Sequence, residues 1–118
     1  MTSQERADML SLLMDARKLI AQPHQWIQYA WAQNADNHSC SVQNPRACKF
    51  CLVGAVIRAA FLRPKLKHIK SQVLQAITME LPEPHTRAPL FNDSFNTTHA
   101  GVLAVLDATI ASVEGETL

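Results

Sequence analysis

Residues 45–62, PRACKFCLVGAVIRAAFL, decide the reading of this chain. Asn44 before the stretch suits a helix N-cap, Pro45 suits the first helical position, and Gly54 is the one breaker before Pro64. Leu52, Val53, Ala55, Val56 and Ala59 make it the most apolar segment, so a helix from Pro45 onward is expected at the centre of the core. Glycine in a helix costs about 1 kcal/mol relative to alanine, which predicts a close approach by another helix at Gly54.

Working outward, four more segments carry helical period, and none shows sustained alternation of apolar and polar residues. Thr2 and Glu5 match a capping box, and Met9, Leu12, Leu13, Ala16, Leu19 and Ile20 share a stripe, predicting a helix from about Ser3 to Ala21. Pro23 suits the start of a helix with Trp26, Ile27, Ala30 and Trp31 on its apolar face, the tryptophans serving as core or interface anchors. Beyond Pro64, the spacing of Leu66, Ile69, Val73, Leu74 and Ile77 is amphipathic. Pro82, Pro84 and Pro89 forbid continuing it through LPEPHTRAPLFNDSFN, residues 81–96, which reads as a long loop. Thr97 or Thr98 can cap a last helix bearing Val102, Leu103, Leu106, Ile110 and Val113. The expected fold is therefore all-α: a single compact domain of about five helices over residues 1–113, followed by a flexible tail at 114–118. Its FCLVGAV segment should pack against the first and last helices.

The 118 residues are 47% hydrophobic and 18% charged, enough for one core and too few for a two-domain enzyme, a (β/α)8 barrel or a full dinucleotide-binding fold. No stretch approaches the roughly 18 consecutive apolar residues of a membrane span, and the N-terminus lacks the pattern of a secretory signal, so a cytoplasmic protein with no membrane partner is expected. With three cysteines and no export signal, reduced thiols or a metal site come before disulfides.

Charge is segregated. Residues 37–79 hold no Asp or Glu but seven bases, Arg46, Lys49, Arg58, Arg63, Lys65, Lys67 and Lys70, while the flanks carry a net charge of −6. Such a middle can face an acidic protein surface or a nucleic-acid backbone, with Arg58, Arg63, Lys65, Lys67 and Lys70 as the candidate partner-binding residues. The competing reading is an internal match, the acidic ends folding back onto the basic middle. A pI near 7.8 is unlike that of a dedicated nucleic-acid binder.

Two constellations could carry chemistry. His38, Cys40, Cys48 and Cys51, with His24 in reserve, could be drawn as a tetrahedral zinc site, but Cys48 and Cys51 would then sit on a helix rather than in a tight knuckle. No metal and no cofactor is expected, because the apolar stripes supply a core that needs none. The second constellation is Cys51 with His99 and Asn92 or Asp93. A thiol near a helix N-terminus is drawn toward thiolate, an imidazole could carry its proton, and an amide or carboxylate could orient the ring. Against it stands the ordinary reading of Cys51 as a core residue, Asn92 and Asp93 as turn caps, and His99 as a ring bonded to backbone.

The ordered set PHQW at 23–26, FCLVGAV at 50–56, FND at 91–93 and TTHAGVLAVLDATIA at 97–111 resembles an uncharacterised family of small proteins from bacteria and their phages, a domain of unknown function. The matching positions are Trp26, Cys51, Gly54, Asn92, Asp93, Thr98 and His99, while His38, Cys40 and Cys48 lie outside the pattern. The resemblance implies no activity. The acid-free middle and the Pro-rich loop are where this chain departs from it. The expectation is a small non-catalytic interaction protein, such as a phage or mobile-element accessory factor. The alternative is a thiol-dependent enzyme or ligand-binding domain using Cys51 and His99.

Overall fold

A computed structural model describes residues 1–115. Helix α1 spans Ser3–Leu19 and begins with the expected reciprocal cap, in which Thr2 Oγ1 accepts from the Glu5 amide and Glu5 Oε1 from the Thr2 amide. Its stripe of Met9, Leu12, Leu13 and Ala16 is buried. Strand β1 (Ala32–Gln33) pairs antiparallel with β2 (Lys49–Phe50), in the register Ala32 to Phe50. Helix α2 follows at Leu52–Leu62, then a 3-10 segment Pro64–Ile69, α3 at Lys70–Met79, α4 at Ala88–Asn92 and α5 at His99–Glu114. The chain is thus mostly helical, with five α-helices and one two-stranded pair among the described residues, and the all-α expectation is corrected by that pair.

The correction has a local cause at each strand. Pro23 starts only a single 3-10 turn, Pro23–Gln25, after which Trp26 is extended and Ile27 donates its amide to the Phe50 carbonyl at 3.2 Å. Asn44 does not cap a helix. Its Oδ1 accepts from the Arg46 amide in a turn, and the Cys48 amide then donates to the Gln33 carbonyl. Arg58 holds this turn from below, donating to the Val42 and Asn44 carbonyls at 3.0 and 2.9 Å. Backbone pairing to residues 26–33 and burial of Phe50 therefore outweigh the helical propensity of RACKFC, and α2 starts at Leu52.

Helix α1 packs extensively on α2 and α5, and α2 on α1, α3 and α4. The FCLVGAV segment thus meets the first helix as expected, whereas the last helix packs on α1 and α3. At Gly54 the neighbour is not a helix. A Cβ built there would lie 2.1 Å from the Trp31 carbonyl oxygen, so the bend that leads into β1 demands the glycine. The proline-rich segment, expected without elements, contains α4, which buries Ala88, Phe91 and Asn92. Of the expected tail, Glu114 closes α5 and Gly115 is its C-cap, while 116–118 lie outside the described residues.

Candidate functional site

Asn92, at the end of α4, is fully buried, and all its polar atoms are engaged. Its Oδ1 accepts from the Trp26 indole at 2.7 Å and from the Leu52 amide at 3.0 Å; its Nδ2 donates to the Ile27 carbonyl at 3.1 Å and to Asp93 Oδ1 at 2.9 Å. Gln28 Nε2 closes the same junction from outside, donating to the Asn92 and Ser94 carbonyls. One side chain thus ties residues 26–27, the N-terminus of α2 and the end of α4. The Leu52 amide is one of the donors a helix start leaves unpaired. A second, that of Gly54, is accepted by the Cys51 sulfur at 3.2 Å, which makes Cys51 the N-cap of α2.

Beside this junction lies a cleft of about 160 Å³ lined by Tyr29, Ala30, Trp31, Cys51, Pro89, Asn92 and Asp93. Three of the four residues read from sequence as a thiol constellation, Cys51, Asn92 and Asp93, meet here. His99 does not line the cleft: its Nε2 lies 2.7 Å from the Ile20 carbonyl. A carbonyl only accepts, so that nitrogen carries the proton. The His99 ring stacks at a tilt on Trp26, centroids 6.2 Å apart, and reaches Asn92 through the indole. The thiol is also not activated. Burial pushes the Cys51 pKa up, the amides of Gly54 and Val53 oppose this, and the Asp93 charge adds to the rise. The expected helix-end activation is present in kind but is outweighed by desolvation.

Sequence reasoning missed Tyr29 as part of this place and assigned Trp31 to an anchoring role. Both are more than half exposed, at 74% and 52%, and Tyr29 has φ 68°, a left-handed conformation in which its amide donates to Asp93 Oδ1 at 2.9 Å. The helical spacing of Trp26, Ile27, Ala30 and Trp31 hid them, because the chain here is not a helix: Trp26 is extended, residues 28–31 form bends and only Ala32–Gln33 is strand.

The other candidates are dispersed. Cys40 is half-buried, Cys48 exposed and Cys51 buried; His24 and His38 are exposed. No group of three or more His, Cys, Asp or Glu suited to a metal ion occurs among the described residues. Of the basic set, Arg58 is committed to the 42–44 turn and lies over the Phe50 ring, and Arg63 pairs with Asp15 at 3.1 Å. Lys65 and Lys67 are exposed and Lys70 is half-buried on the Pro64–Ile69 segment and the start of α3. Lys67 and Lys70 line a pocket of about 240 Å³ whose walls are Ile57, Ala60, Phe61 and Pro64. A second pocket, about 270 Å³, shares Ile57 and adds Val42 and Trp31. A further cavity, about 560 Å³, runs between residues 80–85 and α5 and is lined by none of the candidate residues. No described helix is long and apolar enough to cross a membrane.

No curated protein and no solved structure matches this chain. A family model matches residues 4–112, nearly the whole of it, and takes in the Trp26, Cys51, Asn92 and His99 positions just described: the chain belongs to the family of unknown function DUF6197.

Proposed function

We propose that this protein is a non-catalytic binding module whose Lys65, Lys67 and Lys70 face takes an acidic segment of a partner protein. The observation that carries the reading is the pocket beside α2 and α3, where Lys67 and Lys70 flank walls of Ile57, Ala60, Phe61 and Pro64. Phe61 and Leu62 are 45% and 55% exposed, so apolar surface and positive charge lie together. Among the described residues no carboxylate pairs with these three lysines, whereas Arg63 is matched by Asp15 and His68 faces Asp8 at 3.9 Å. The internal charge match therefore covers only part of the basic middle.

The apolar walls favour a peptide over a nucleic-acid backbone. Phosphate binding gains mainly from many cations releasing counterions, and this face offers three. An acidic segment with aliphatic side chains would place carboxylates on the lysines and a side chain between Ile57 and Phe61. A raised thiol pKa and a His99 bonded elsewhere weigh against the thiol-enzyme alternative.

Fluorescence anisotropy with a labelled peptide alternating Glu and Leu, run beside mixed-sequence duplex and single-stranded DNA at low salt, tests this. The peptide should bind and the combined K65E, K67E and K70E variant should lose it. Binding of DNA with no peptide binding would replace the protein partner with a nucleic acid, and binding of neither would end the reading.

A further inference from the structure

We propose that the cleft between the 29–31 bend and α4 is a binding site for an alkylammonium head group, with Asp93 as its counter-ion and Tyr29 and Trp31 as its aromatic walls. This goes beyond the lysine face and does not depend on it. Three observations converge. The first is charge: Asp93 Oδ1 is occupied by the Tyr29 amide and the Asn92 side chain, while Oδ2 takes no hydrogen bond from the described residues. A half-buried carboxylate with one oxygen unused, and no cationic residue lining the cleft, is the complement of a positive guest.

The second is the wall chemistry. Tyr29 and Trp31 are 74% and 52% exposed although each carries a large apolar ring, and Pro89, Ala30 and the neutral Cys51 complete the lining. Aromatic faces attract cations through their quadrupole, and quaternary ammonium groups are the guests such walls select. The third is positioning. Tyr29 holds a φ of 68°, which a bulky residue rarely adopts, and the bond from its amide to Asp93 fixes wall and counter-ion to each other. Asn92, itself locked by Trp26 and Leu52, fixes Asp93 in turn. At about 160 Å³ the cleft is smaller than the usual pocket for a drug-sized ligand and admits one compact head group.

The shared chemistry has two sources, a free small amine such as choline and a methylated lysine side chain. Amide and indole resonances of the full chain would be followed by heteronuclear NMR during titration with choline, with an acetylated trimethyl-lysine amide, and with 3,3-dimethylbutan-1-ol, the neutral isostere of choline. Either cation should shift the Tyr29, Trp31 and Asp93 signals, and the isostere should not. Asp93→Asn, which retains an oxygen acceptor for the Tyr29 amide, should weaken binding by about tenfold or more while preserving the spectrum elsewhere. Trp31→Leu, at an exposed ring, should weaken it independently. Tighter binding of choline assigns the site to a free amine, and tighter binding of the lysine derivative to a protein side chain; both uphold the proposal. Equal shifts from the neutral isostere, no shift from either cation, or undiminished binding by a folded Asp93→Asn would overturn it.

Discussion

At the scale of single residues, Gly54 and Cys51 show how a contact reverses a generic expectation. Replacing a helical glycine by alanine ordinarily stabilises by about 1 kcal/mol. Here the added methyl would stand 2.1 Å from the Trp31 oxygen and 3.0 Å from its carbon, both backbone atoms. G54A should therefore destabilise by about 1–3 kcal/mol in urea denaturation; a gain in stability would show the bend yields at no cost. For Cys51 the folded thiol pKa is raised by burial, so the unfolded chain loses its thiol proton first as pH climbs. The Cys51 contribution to stability should be flat below the ordinary thiol pKa of about 8.5 and fall above it. C51S, which retains an N-cap acceptor, should flatten the part of that slope due to Cys51. The sequence made Cys51, Asn92 and Asp93 conspicuous but left His99 between a thiol's partner and a ring bonded to backbone, because the ring's partner, the Ile20 carbonyl, is 79 positions away and no local pattern reports it.

At the scale of elements, α1 and α5 were legible because their signals are local. Thr2 with Glu5, and Thr98 accepting from the Gly101 amide at 3.0 Å, satisfy helix-start donors within three residues. T98A should cost about 1 kcal/mol in thermal or urea unfolding, and T98S or T98D should restore it. The start of α2 was not legible, since its caps are a sulfur and an amide brought from residue 92. Asn44-Pro45 is equally a helix start and a turn, and the choice is made by Arg58 and by pairing with β1. The 26–31 segment departs from a helix for a related reason: Trp26, Ile27, Ala30 and Trp31 fall at helical spacing, yet Asn92 and Phe50 claim polar groups of the first two in a non-helical backbone.

For the molecule as a whole, the segregated charges do two different things. Asp15 with Arg63 and Arg17 with Asp107 join separate helices, but their side chains are about a third to a half exposed, so each pair contributes roughly 0–1 kcal/mol and is screened by salt. Raising NaCl should thus leave the unfolding midpoint little changed while it abolishes association of an acidic peptide with the lysine face; parallel thermal scans and anisotropy would show whether the two respond separately. The Asn92 junction bears on time as well as on stability. Its bonds to Leu52 and Trp26 span 40 and 66 positions, so they close only after two long stretches of chain have been ordered, whereas α1 and α5 can form from neighbours. Asn92 is then expected to act as a latch that fastens after the folding barrier. Removing it with N92A strands the Trp26 indole and the Leu52 amide, a loss of about 3 kcal/mol or more at equilibrium. That loss should appear in stopped-flow chevrons as unfolding faster by on the order of a hundredfold, with refolding almost unaltered. Refolding slowed in proportion would instead place the junction inside the nucleus, and the protein would owe to this one amide its rate of arrival at the native state rather than its residence there.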